Sequence, residues 1–235
     1  FLQSMKNLSE FSSWEGMVNQ VIMGDCFEGM KLIPDESIDL IVTDPPYGMN
    51  YQSSRRTDKF LKIAQDTSLD WVHDCFKNIF RILKPNTHAY LFCNEYSMDT
   101  FRSSLKQCGF DLKRMLIWIK NNHTSGDLDG DYGNQTEYIL FVHKGRKPLN
   151  GKRDTNIIKL PRVANLNHPT EKPVSLFQYL IEKSSNKGQV VCDPFMGSWT
   201  TARACKDLGR NFIGFELEEA YCKVGEQRLA QENLF

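Results

Sequence analysis

The chain has 235 residues, 40% of them hydrophobic and 25% charged, with 29 Lys+Arg against 29 Asp+Glu. That length favours one domain with its own core, and the composition excludes a disordered chain. The zero net charge excludes a molecule coated all over in basic residues, although it leaves room for a local basic face.

Residues before Met5 are left out of the fold expectation. Val21 to Met23 reads as a short strand ended by Gly24-Asp25. Ile38 to Val42 reads as a strand that is apolar apart from Asp39, ended by Thr43-Asp44-Pro45-Pro46. Leu69 to Leu83 has helical spacing of apolar residues. The breaker Lys84-Pro85-Asn86 then precedes a strand over Thr87 to Cys93, followed by a helix over Met98 to Cys108. Lys113 to Ile119 and Glu137 to Val142 are two further strands. The last third alternates again: helix Val174 to Ser185, strand Gln189 to Cys192, helix Thr200 to Leu208, strand Asn211 to Gly214, helix Glu218 to Ala230. About seven strands alternating with helices predict an α/β fold, a mostly parallel sheet covered by helices on both faces. Gly48 to Gln65, Asn121 to Gln135 and Lys144 to Asn167 read as long loops, the kind that carry function.

Ligands of such a sheet lie beyond the carboxyl ends of its strands, so chemistry is sought just after each one. Four strand ends carry an acid: Asp25, Asp44, Asp193 and Glu216. One such acid reads as a turn or a helix cap. Four on one edge are harder to obtain from capping alone. Asp44-Pro45-Pro46-Tyr47 is the most specific of these segments. Its two prolines restrict the backbone and remove two donors, leaving carbonyls free beside the Asp44 carboxylate. Paired acceptors suit a group with two N–H donors, such as the exocyclic amine of a base, and Tyr47 adds a face for stacking. The bland reading of these four residues is a rigid loop with a buried tyrosine.

Asp44-Pro45-Pro46-Tyr47 resembles the catalytic motif of amino-group DNA methyltransferases that use S-adenosylmethionine; a leading Asp is typical of the adenine-N6 enzymes. Asp193-Pro194-Phe195-Met196-Gly197-Ser198 resembles the cofactor loop of that family, and His168-Pro169-Thr170-Glu171-Lys172-Pro173 the segment before it. Gly24-Asp25-Cys26 and Gly214-Phe215-Glu216 match its remaining cofactor contacts. The motif order is that of the permuted β group, and the resemblance covers about Val21 to Leu229.

The resemblance implies a Rossmann-like methyltransferase domain over residues 5–235 that methylates the N6 of a flipped-out adenine in DNA by direct in-line attack. Asp44, Pro45, Pro46 and Tyr47 are then the catalytic residues. Asp25, Cys26, Thr170, Lys172, Asp193, Phe195, Gly197, Ser198, Thr200 and Glu216 are the expected cofactor contacts. Glu216 would take the ribose hydroxyls, Asp25 the adenine amine, and Thr170 and Lys172 the methionine carboxylate. The chain departs from the pattern at Trp199, where the family commonly has Gly. The residue then either points outward, with Ser198 as N-cap, or packs on the cofactor. Cytosine-N4 methylation, methylation of RNA amines and a non-catalytic binding role stay open as alternatives.

The partner implied is DNA. Lys144, Arg146, Lys147, Lys152, Arg153, Lys159 and Arg162 face one acid, Asp154, in the third loop, while Arg55 and Arg56 follow Tyr47. Such clusters suit phosphate, and residues 144–167 are the expected short target-recognition segment. A homodimer and a restriction endonuclease partner stay open. Asp127 to Asp131 imitates a calcium loop, but Tyr132 and Tyr138 stand where Gly and Glu are needed. The histidines have no metal-ligand spacing. Seven cysteines form no C-x-x-C pair, Phe1 to Glu10 lacks a signal-peptide pattern, and no run is long enough to span a membrane. The expected location is the cytoplasm.

Overall fold

The computed structural model describes residues 6–48, 69–123, 129–162 and 172–230. In chain order the strands are β1 (Lys6–Asn7), β2 (Gln20–Met23), β3 (Ile38–Thr43), β4 (Leu83–Cys93), β5 (Asp111–Ile119), β6 (Thr136–Lys144), β7 (Ile157–Lys159), β8 (Val190–Asp193) and β9 (Asn211–Glu216). The helices are α1 (Cys26–Leu32), α2 (Val72–Ile82), α3 (Met98–Gln107), α4 (Val174–Ser184), α5 (Thr200–Leu208) and α6 (Glu219–Ala230). The strands form one sheet in the order β1-β2-β9-β8-β3-β4-β6-β5-β7. All pairings are parallel except those of β6, which runs antiparallel to both β4 and β5.

Side-chain alternation divides the core between two faces. Along β4, Ala89, Leu91 and Cys93 join one cluster with Met30 of α1, Phe76 of α2 and Phe101 of α3. Tyr90 and Phe92 point the other way, to Leu176 and Leu180 of α4, Ala202 of α5 and Cys222 of α6. Helix α2 shows why these segments dock as helices: Val72, Cys75, Phe76, Ile79 and Ile82 recur on one face and are all buried. Phe76 alone, fully covered, contributes roughly 1.5–3 kcal/mol by leaving water. Asp39, the one acid in β3, is satisfied by Lys84 Nζ at 2.7 Å and by the Val190 backbone N–H at 2.9 Å.

The seven expected strands all form, most of them one to four residues longer than the apolar runs. Helix α1 and strands β1 and β7 escape the sequence reading. Helix α1 is short and contains Gly29, whose missing side chain admits the Phe215 ring: a β carbon there would lie 2.1 Å from Phe215 Cε1. Strands β1 and β7 have two and three residues, too short for periodicity, and exist through pairing with β2 and β5. Strand β7 therefore lies inside the stretch expected to be loop.

Among the described residues no helix is long and apolar enough to cross a membrane, and no cluster of His, Cys, Asp and Glu could hold a metal. All seven cysteines are free, and all but the half-buried Cys108 are buried.

Candidate active site

Parallel strands bring their carboxyl ends to one edge, and the sheet order sets which side chains become neighbours there. Reading across β2, β9, β8 and β3, that edge carries Asp25, Glu216, Asp193 and Asp44. The four acids singled out by sequence are thus adjacent in space. Next comes the end of β4 at Cys93-Asn94. Strand β6 then presents its first residues rather than its last, because it runs the other way.

Each acid is held differently. Asp25 Oδ1 accepts from the Phe27 N–H at 2.8 Å and caps α1. Cys26 begins that helix with its side chain buried in the core, so only its backbone can face a ligand. Asp193 is buried and triply bonded. Its Oδ1 accepts from Thr43 Oγ1 at 2.7 Å and from the Phe195 N–H at 3.1 Å, and its Oδ2 accepts from Thr201 Oγ1 at 2.5 Å. Burial pushes its carboxyl up to about 6 against those donors. Glu216 Oε2 accepts from the Gly197 N–H at 2.8 Å and Oε1 from the Glu218 N–H at 2.9 Å. Burial raises its carboxyl to about 7.

The loop between Asp193 and α5 wraps onto Glu216. Gly197 takes a left-handed backbone, φ 53°, and a β carbon there would meet nothing within 4 Å. That is open space above a backbone that a ligand could approach closely. Trp199 resolves differently from either expectation. It is itself the N-cap residue of α5, also left-handed at φ 63°, and its side chain is only 2% exposed. The indole lies inward against Gly225 of α6 instead of pointing outward. Ser198 does not cap the helix. Its carbonyl and Oγ accept from Arg228 Nη1 at 3.0 and 3.1 Å, and Thr200 Oγ1 accepts from the same nitrogen at 2.6 Å. The Ser198 and Thr200 side chains are therefore spent on α6. Phe195 is half-buried, with its ring 5.2 Å from that of Trp71.

Pro45 is buried, while Asp44, Pro46 and Tyr47 are half-buried at the end of β3. The Tyr47 hydroxyl donates to Asp44 Oδ1. Lys172 Nζ donates to Asp44 Oδ2 at 2.5 Å and lies 3.2 Å from Glu137 Oε2. Lys120 Nζ closes the row 3.3 Å from Glu137 Oε1. Burial holds the Asp44 carboxyl above its usual range although the Lys172 ammonium pulls it down, and Glu137 adds to the rise. For Glu137 burial also pushes upward, but Lys172 and Lys120 together outweigh it and hold that carboxyl low. Burial opposes the charge on Lys172, yet Asp44 and Glu137 keep it firmly protonated.

Lys172, expected to meet the methionine carboxylate, pairs with Asp44 and Glu137. The basic segment is not one phosphate-facing stripe. At about 3.4 Å per residue, β6 carries Lys144 roughly 27 Å from Thr136, away from the acidic edge. There Lys144 Nζ donates to the Phe80 and Leu83 carbonyls at 2.9 and 2.7 Å, ending α2, and Lys147 Nζ donates to the Ser184 carbonyl at 2.9 Å. Arg146, Lys152 and Arg153 are exposed at that far end. Strand β7 returns to the edge, where the Arg162 N–H donates to Asn121 Oδ1 at 2.9 Å. Arg55, Arg56 and Thr170 lie outside the described residues.

Sequence reasoning missed Glu137, Lys120, Thr43, Thr201 and Arg228. Glu137 was hidden by direction: the rule of looking after each strand fails for the one strand that enters the edge at its start. The chain resembles known proteins. A family model described as DNA methylase matches residues 38–227. The chain is 30% identical to DNA adenine methyltransferase YhdJ of Escherichia coli (strain K12), over 89% of this chain and 82% of the relative. It is 31% identical to Type II methyltransferase M.HinfI of Haemophilus influenzae, over 96% of this chain and 70% of that protein. The solved M1.HpyAVI–SAM complex is 29% identical with a TM-score of 0.70, covering 89% of this chain and 99% of the other.

Proposed function

The chain belongs to the DNA methylase family, and from that membership we propose that it transfers a methyl group from S-adenosylmethionine to the N6 amine of adenine in DNA. The observation that carries the reading is the Asp44-Pro45-Pro46-Tyr47 loop set at the end of β3, one strand from Asp193 and two from Glu216. An amine acceptor thereby neighbours a nucleoside-binding edge. Relatives named as adenine methyltransferases and the SAM complex of a similar structure support the same reading.

The residues present fit the cofactor. The Glu216 carboxylate is fixed by two backbone donors and keeps lone pairs for the ribose hydroxyls. Asp25 has one oxygen free of its capping bond for the adenine amine. Gly197 leaves room above its backbone, and Asp193 holds the loop that carries it. When bound, the cofactor supplies an electrophilic methyl on a sulfonium whose sulfur leaves with the electrons of the broken bond.

The amine of adenine is a poor nucleophile because its lone pair is delocalised into the ring. Asp44 and the Pro45 carbonyl accept its two N–H groups and draw the nitrogen toward a tetrahedral form. The carboxylate then faces the positive charge that develops on nitrogen and is the nearest base for the proton released. A base must leave the duplex to reach Asp44, and the Tyr47 ring offers it a face. Tyr96, 70% exposed after β4, and Tyr132, 96% exposed in the β5–β6 loop, stand at the same edge as sites for stacking. DNA contact is assigned to this edge and its loops, and the place of action is the cytoplasm of a bacterial cell.

Incubating defined oligonucleotides with labelled cofactor and identifying the modified nucleoside tests the reading. N6-methyladenine is expected, and Asp44→Ala is expected to abolish it while leaving cofactor binding intact. Label in cytosine or only in RNA overturns the adenine-DNA assignment, and an undiminished Asp44→Ala variant overturns the role of the loop.

A further inference from the structure

Glu137 has no place in the reading above, yet its geometry ties it to the reacting carboxylate. Asp44, Lys172, Glu137 and Lys120 form a row of alternating sign with contacts of 2.5, 3.2 and 3.3 Å. Lys172 is nearly buried, its ammonium also 5.2 Å from the centre of the Phe92 ring. A dry ammonium with a single carboxylate partner would be drawn fully onto that partner. Here a second carboxylate, on a different strand, lies 3.2 Å from the same ammonium.

We propose that Glu137 is a positioning residue for methyl transfer: through Lys172 it fixes the orientation of Asp44 and keeps that carboxylate available to the target amine. The inference rests on the reading of Asp44 as the amine acceptor.

Two effects follow from the geometry. Lys172 engages Asp44 Oδ2 while anchored on β6, which holds the carboxylate in one rotamer with Oδ1 turned to Tyr47. The charge is also balanced. Asp44 and Glu137 cancel Lys172 and Lys120, so an amine that becomes positive during attack meets no excess of positive charge. Neutralising Glu137 leaves two ammonium groups against one carboxylate, which disfavours the transition state more than the ground state. The groups that face Asp44 are Lys172 from the segment before α4, Glu137 from β6, Tyr47 from its own loop, Cys93 from the end of β4 and Asp193 from the end of β8. The negative charge of Glu137 helps to raise the Asp44 carboxyl, so removing it moves the ionisation of Asp44 to lower pH.

The test is steady-state kinetics of the full chain on an adenine-containing oligonucleotide with labelled S-adenosylmethionine, for wild type, Asp44→Ala, Glu137→Gln and Glu137→Asp. Glu137→Gln is expected to lower kcat at least tenfold, with KM for DNA and cofactor within about twofold, and to shift the acid limb of the kcat–pH profile downward. Glu137→Asp keeps the charge and is expected to recover part of kcat with the acid limb unmoved. A Glu137→Gln enzyme with wild-type kcat and an unmoved limb overturns the proposal. If that variant unfolds at the assay temperature, the uncharged Glu137→Met with wild-type kcat and an unmoved limb overturns it instead. Wild-type protein that labels no DNA overturns the underlying reading as well, whereas loss of activity in Asp44→Ala alone overturns only the part given to Glu137.

Discussion

Trp199 and Gly225 are fitted to one another: a β carbon built on Gly225 of α6 would lie 2.0 Å from Cγ of the Trp199 indole. The large side chain at the start of α5 is accommodated by the absence of one on the facing helix. Trp199 also holds a left-handed backbone, a conformation that suits glycine.

Trp199→Gly therefore carries opposed effects. Relief of the backbone is worth about 1 kcal/mol, while emptying the space under α6 costs roughly 3–5 kcal/mol. Net destabilisation of about 2–4 kcal/mol is expected in urea unfolding. Gly225→Ala is expected to cost about 1–3 kcal/mol through overpacking. A Trp199→Gly protein more stable than wild type would contradict this account.

Stability should fall as pH rises from about 5 to 8. Asp193 and Glu216 ionise near 6 and 7 in the folded chain, above the ordinary carboxyl range. Both therefore bind protons more tightly folded than unfolded. Their contribution is full below the unfolded pKa and is lost as pH rises through the folded values. Thermal melts of the ligand-free protein across this range check the sign, and Glu216→Gln should flatten the upper part of the slope.

Cofactor affinity should move the opposite way. Ribose hydroxyls need an ionised acceptor, so binding to wild type should weaken as pH falls below about 7, with up to one proton taken up on release. Calorimetry in buffers of different ionisation enthalpy reads that proton. A dependence on pH that persists unchanged in Glu216→Gln would remove Glu216 from the cofactor site.

Lys144 separates the structural cations from those at the edge. Lys144→Met loses bonds to the Phe80 and Leu83 carbonyls and should destabilise the fold by about 1–3 kcal/mol. Its effect on the salt dependence of DNA binding should be nil, since the residue contacts no phosphate from its place under α2. A fall in the slope of log affinity against log salt by about one unit would return Lys144 to the DNA interface.

The strand and helix order, the four acidic strand ends and the Asp44 to Tyr47 loop were all legible in the sequence. Each is written in local terms: apolar periodicity, turn-formers and an acid directly after a strand. Their convergence also followed, because parallel strands must deliver their carboxyl ends to one edge. What local pattern cannot encode is direction and distance. The reversal of β6 brought Glu137 to the site and carried Lys144 and Lys147 away from it, although all three lie within eleven residues of chain. Lys172 met Asp44 because its place just before α4 sets it against the end of β3 and Phe92 of β4. The zero net charge has the same character. The sum is read from the sequence, but burial and pairing decide that Lys120, Lys144 and Lys172 are spent inside the protein.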